Sequence, residues 1–178
     1  MGRYVALLRG INVGGVNIIR MPALVAAFEA LGLTEVSTYI QSGNVLFSAR
    51  GGAADLTRRL ETALAATFAY RATVVLRSHR QLADIVAGAP RGFGTQPAKI
   101  RYDVLFLKAP LTATAALRDL PQRPGVDEAH AGAGVLYASR LVSKASQSRL
   151  GRVVGLPMYQ LMTIRNWNTT TALLRLLG

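Results

Sequence analysis

The chain contains no cysteine among its 178 residues. That excludes disulfides, thiolate nucleophiles and every zinc site that relies on cysteine, and it makes the cytoplasm the expected location. Acid is scarce too: nine Asp and Glu stand against 21 Lys and Arg, a formal charge of +12. Only two histidines occur, His79 and His130, and sequence neighbours give neither a partner. Asp127 and Glu128 are adjacent, so on a strand their side chains diverge rather than share acid and base work. Ser143 and Lys144 are adjacent as well, not spaced as in Ser-x-x-Lys hydrolases. No catalytic residue, metal ligand or cofactor is assigned on this basis. The apolar run Tyr4–Leu8 is too short for a signal peptide or a membrane span. Ala6 stands where a myristoylation motif starting at Gly2 requires Ser or Thr, so no membrane partner is expected.

What the chain does have is core. Hydrophobic residues make up 51% of it, and Gly and Pro are scattered rather than gathered into a tail. Such a length and composition suit one domain or two small halves.

The first half parses as βαββαβ. Arg3–Arg9 is strand-like, and a Gly/Asn loop runs from Gly10 to Arg20. Pro22 opens a helix carrying Leu24, Phe28 and Leu31 at helical spacing. Glu35–Gln41 and Val45–Ser48 form two strands joined through Ser42-Gly43-Asn44. Leu56, Leu60, Leu64 and Phe68 make one stripe of a second helix, and Ala72–Arg77 is the last strand. This order predicts a ferredoxin-like unit over residues 1–77. Residues 78–178 repeat the theme as a second α+β half. Ser78 and Gln81 form a capping-box pattern at the head of a helix that stops at Gly88. Strands follow at Arg101–Leu107, Val126–Ala129, Gly134–Ser139 and Gln160–Ile164. Helices are predicted at Thr112–Leu120, near Ser146–Val154, and at the C-terminus through Leu177. The fold class is α+β, two α/β-sandwich-like halves. Tyr4–Leu8, Val74–Leu76 and Val104–Leu107 are continuous apolar runs, which predicts strands buried on both faces. The second half is the natural cover for the first sheet.

Three polar motifs are candidates for binding. The loop from Arg9 through Asn12, Gly14 and Gly15 joins a strand to a helix, where backbone N–H groups can meet an anion. It lacks the Gly-Lys-Ser/Thr of a P-loop. Gln41, Ser42 and Asn44 gather small polar groups in a turn, although Gly-Asn chemistry is what hairpins use in any case. Arg165, Asn166 and Asn168 surround the only Trp, Trp167. One Asn there is needed as a helix cap, which leaves the remaining polar groups without an assignment.

These stretches, Arg9–Gly15, Thr38–Val45, Ser143-Lys144 and Arg165–Thr169, resemble a bacterial family known as domain of unknown function 1697. The resemblance covers essentially the whole chain. It implies two α+β subdomains, the first ferredoxin-like, and it brings no activity with it. Pro157–Ile164 departs from the pattern, being longer than the connection the family uses there.

Three functional classes stay open. One is a module that binds an anionic ligand, a nucleotide-like small molecule or nucleic acid, at a polar site between the halves. Its expected residues are Arg9, Asn12, Gly14, Gly15, Gln41, Ser42, Asn44, Lys144, Arg165, Asn166 and Asn168. The basic stretch Ala129–Gly178, with six Arg and Lys and no acid, favours phosphate. The second is an enzyme acting on a phosphorylated or carboxylated metabolite through Arg, Asn and Lys, and the third a structural interaction protein.

Overall fold

The computed structural model describes residues 1–12, 17–69 and 71–178. The first strands and helices are β1 (Gly2–Leu8), α1 (Met21–Glu29), β2 (Thr34–Thr38), β3 (Asn44–Ala49), α2 (Ala53–Phe68), β4 (Val74–Ser78) and α3 (His79–Ala87). Then come β5 (Ile100–Leu107), α4 (Ala113–Asp119), β6 (Asp127–Gly132), β7 (Val135–Leu141), β8 (Met162–Asn166) and α5 (Trp167–Leu177). They build two four-stranded sheets, ordered β2-β3-β1-β4 and β6-β7-β5-β8. Every pairing within both is antiparallel. The class is therefore α+β, and the first order is compatible with a ferredoxin-like unit.

The two sheets share one plan. β5 pairs with β7 and β8 as β1 pairs with β3 and β4, and α4 occupies the chain position of α1. The difference lies between the third and fourth strands. The first sheet has α2 there, whereas the second has three short 3-10 segments, Val142–Gln147, Leu150–Gly155 and Pro157–Leu161. This corrects the helix expected near Ser146–Val154. Gly151 and Gly155 weaken a helix, and Pro157 lacks the N–H that would continue one.

The chain divides into two compact units, Met1–Leu82 with Leu173–Gly178, and Ala83–Ala172. In the first, one sheet face presents Ala6, Leu8, Val45, Phe47, Val74 and Leu76 to Leu24 and Phe28 of α1 and to Leu56, Leu60 and Leu64 of α2. Phe28 meets Phe47 edge-on at 5.5 Å. Each buried Val, Leu or Phe among them contributes about 1.5–3 kcal/mol. The other face is buried as well, with Val5, Leu7, Leu46 and Val75 at most 2% exposed. The continuous apolar runs are thus strands with no wet face. Arg3 reaches the C-terminal end of α5, donating to the Leu176 and Gly178 carbonyls at 3.3 and 3.4 Å.

In the second unit, Leu105, Leu107, Leu136, Ala138 and Met162 face Ala116 and Leu120 of the α4 segment and Val153 of the middle 3-10 segment. The opposite face buries Tyr102, Val104, Phe106 and Tyr137. Phe93 stands edge-on to three rings there, Tyr102 at 4.8 Å, Trp167 at 5.1 Å and Tyr137 at 5.5 Å. The Tyr137 hydroxyl donates to the Ile85 carbonyl of α3 at 2.6 Å. The capping box is real: Gln81 Oε1 accepts from Ser78 N at 2.9 Å, and Ser78 Oγ accepts from Gln81 N at 3.2 Å.

Candidate functional site

In the first unit the polar motifs fold onto one another. Asn12 takes a positive φ of 53°, and its amide donates to the carbonyls of Ile19 and Gln41, each at 3.0 Å. Its Oδ1 accepts from Ile19 N at 2.7 Å. One side chain thus ties the loop after β1 to the turn before β3, with both donors in use. Asn17 assists by donating to the Gly10 carbonyl at 3.0 Å. Asn44 is wholly buried and donates to the Tyr39 carbonyl and to Ser42 Oγ at 3.0 Å. Gly43 has a φ of +74°, and a Cβ there would lie 2.9 Å from Leu8 and Ile11. Asn12, Ser42 and Asn44 therefore spend polar capacity on holding the chain. Gln41 keeps an exposed side chain and lines an open cleft of about 390 Å³ with Asn12, Arg20 and Met21. Arg9 is half-buried, its N–H on the Thr73 carbonyl at 3.0 Å. Gly14 and Gly15 lie outside the described residues.

The second unit places its motif differently. β8 ends at Asn166, which caps α5: Oδ1 accepts from Thr169 N at 2.7 Å. The amide N–H groups of Asn166 and the side chain of Asn168 make no hydrogen bond among the described residues, and both residues are exposed. They line a cavity of about 350 Å³ together with Trp167, Gly94, Arg101 and Tyr102. Arg165 points elsewhere, as strand alternation requires. It is 8% exposed and donates to Thr163 Oγ1 at 2.7 Å and to the Ile164 carbonyl at 2.8 Å. Burial pulls its guanidinium down to about 10, against a smaller opposing effect of Tyr159. Lys144 is exposed on the first 3-10 segment and lines none of the cavities described here.

Gly94, Arg101 and Tyr102 were not singled out in the sequence. The available signal was Gly92-Phe93-Gly94, two glycines around an aromatic in a stretch with no period. Gly94 has a φ of +85° and lies under the indole of Trp167, where any Cβ would collide. Arg101 donates from Nε to Asp103 Oδ2 at 3.0 Å, half-exposed at the rim.

Other candidates resolve into structure. Asp127 is 8% exposed, while its neighbour Glu128 points to water. Asp127 Oδ2 accepts from the backbone N–H of Arg123 at 2.9 Å and of Arg149 at 2.8 Å. Burial pushes its carboxyl up, but Ser148, those two N–H groups and Arg140 outweigh this and hold it below the usual value. His130 does have a partner: Nε2 lies 2.9 Å from Glu128 Oε1, two residues along the same strand face. Both are well exposed. Among the described residues, no group of three His, Asp or Glu is arranged to hold a metal ion. No helix among them is long and apolar enough to cross a membrane.

The arrangement defines an α+β chain built twice on one strand order, with an open polar cavity at the head of its last helix. The chain belongs to the family described as "Protein of unknown function (DUF1697)", whose model matches residues 1–137. Its fold is shared with the solved structure described as conserved bacterial protein SP0830 from Streptococcus pneumoniae. The two are 27% identical with a TM-score of 0.85, over 99% of each chain. No curated protein matches the sequence.

Proposed function

We propose that the chain is a cytoplasmic binding module for a small anionic ligand of nucleotide-like chemistry, held in the cavity at the head of α5. The observation that carries this reading is the division of labour at Asn166. Its oxygen caps the helix at 2.7 Å, while its N–H groups and the Asn168 amide are left at the cavity beside Arg101 and Trp167. Amide N–H groups and a guanidinium are phosphate donors, and an indole offers a surface to a base. A volume near 350 Å³ lies in the range of small-molecule sites. Strands with both faces buried leave no open sheet on which successive RNA bases could stack, which favours a small ligand over a nucleic-acid strand.

Calorimetric titration with adenosine 5′-monophosphate and with inorganic phosphate tests this. Saturable binding is expected, weakened at least tenfold by Asn168→Ala and by Asn166→Ser. Serine caps a helix as well as asparagine does, so the second variant loses the amide donor and keeps the helix. Binding that ignores both substitutions would reject the site. Tighter binding of a random oligonucleotide, steeply salt-dependent and indifferent to both changes, would favour nucleic acid instead.

A further inference from the structure

A second, smaller cleft lies in the same unit, between the sheet and the middle 3-10 segment. Its apolar walls come from Leu105, Ala138 and Ile164 on the strands, from Leu120 after α4, and from Val153 above, and it encloses about 150 Å³. A space of that size is large enough for one aromatic ring. One end is not apolar: Arg101, Asp103 and Arg140 line it.

The register explains why that end is unusual. Arg101 and Arg140 are direct cross-strand partners of β5 and β7. Like charges so placed repel, with side chains roughly 5 Å apart at Cβ. Asp103 relieves Arg101, accepting from its Nε at 3.0 Å. Arg140 is relieved by charge alone, lying near enough to Asp127 to help hold that carboxyl below its usual value. Among the described residues its side chain makes no hydrogen bond and no ion pair. Its cross-strand neighbour on β6 is Asp127, whose Oδ2 accepts from the backbone N–H groups of Arg123 and Arg149 rather than from the guanidinium. The cleft therefore carries, beside its apolar walls, a guanidinium fork whose donors make no hydrogen bond among the described residues. A planar carboxylate matches that fork with two parallel hydrogen bonds. A ring or short chain behind it would fill the walls.

We infer that this cleft is a binding site for a small carboxylate with an apolar body, a benzoate-sized aromatic acid or a six-carbon fatty acid. It is separate from the cavity at the head of α5, although Arg101 stands at the rim of both. The apolar walls set its selectivity: inorganic phosphate has no body to fill them.

The test is a methyl-resolved NMR titration of the full chain with sodium benzoate, hexanoate, benzyl alcohol and inorganic phosphate as separate probes. Benzoate and hexanoate are expected to shift the methyls of Val153, Leu120 and Ile164 saturably, while benzyl alcohol binds at least tenfold more weakly and phosphate leaves those methyls unmoved. Arg140→Gln should weaken benzoate at least tenfold, with Arg140→Lys between it and the parent. Asn168→Ala should leave benzoate binding unchanged, which separates this site from the cavity proposed above. No shift at millimolar benzoate would overturn the inference. So would equal affinity for benzyl alcohol, or an Arg140→Gln variant that melts like the parent and binds benzoate as tightly.

Discussion

Gly94→Ala is the substitution whose cost can be worked most fully from the structure. Two penalties add. The backbone at Gly94 has a φ of +85°, where an alanine loses about 1 kcal/mol against glycine. The new Cβ would also enter the space of the Trp167 indole. That indole cannot simply step aside, since Phe93 stands edge-on to it at 5.1 Å and to Tyr102 and Tyr137 beyond. Overpacking of this sort costs about 1–3 kcal/mol, so the sum is about 2–4 kcal/mol. Gly92 supplies the control. Its φ is +79°, and the nearest atom to an added Cβ is Thr95 Oγ1 at 3.8 Å, so Gly92→Ala should cost only the backbone share of about 1 kcal/mol. Urea unfolding followed by Trp emission measures both, because the chain has one Trp. The gap between the variants is the ring clash alone, about 1–3 kcal/mol. Equal midpoints for Gly92→Ala and Gly94→Ala would refute the packing of Trp167 over Gly94.

Other expectations follow from single residues. Ile40 is a β-branched residue at a φ of +52° and is 51% exposed; Ile40→Asn should stabilise by about 1 kcal/mol, read as a rise in Tm. Tyr137→Phe leaves the Ile85 carbonyl without its buried 2.6 Å donor and should cost about 1–3 kcal/mol in urea denaturation. The carboxyl of Asp127 is held below its usual value in the folded chain. Its contribution to stability is therefore complete above the unfolded value of about 4 and is lost as pH falls through the folded one. Melting curves across that acid window should flatten in Asp127→Asn, which at neutral pH is less stable than the parent; an unchanged acid limb would contradict the assignment. Asn44→Ala should destabilise by about 1–3 kcal/mol without altering ligand affinity, since that amide is buried in the turn.

The parts of this molecule legible in its sequence are those fixed by near neighbours or by period. The stripe Leu56, Leu60, Leu64 gave α2, and the pair Ser78 and Gln81 gave both bonds of a cap, because such signals need only a few consecutive residues. Continuous apolar runs in β1, β4 and β5 announced strands without a wet face. Local pattern misled where spacing of apolar residues outweighed Gly151, Gly155 and Pro157, which turned an expected helix into 3-10 segments. The site residues divide on the same principle. Asn166 as a cap is a local fact. That Asn12 is spent on Ile19 and Gln41, or that Arg101 faces Arg140 across two strands, depends on register and on chain far away in sequence. No spacing rule carries that information, and Gly94 shows it plainly, since the ring that requires a glycine there is 73 positions further on.

The central claim is that the head of α5 is a ligand site, and the most direct measurement is on its own protons. In a ¹⁵N–¹H titration of the labelled chain with adenosine 5′-monophosphate, the side-chain amides of Asn166 and Asn168 and the indole N–H of Trp167 should shift together and saturate at one affinity. The amides of Asn12 and Asn44 should stay still, being committed to backbone carbonyls and to Ser42. Shifts that spread over the basic surface without saturating, or a Trp167 indole signal that never moves, would contradict the account.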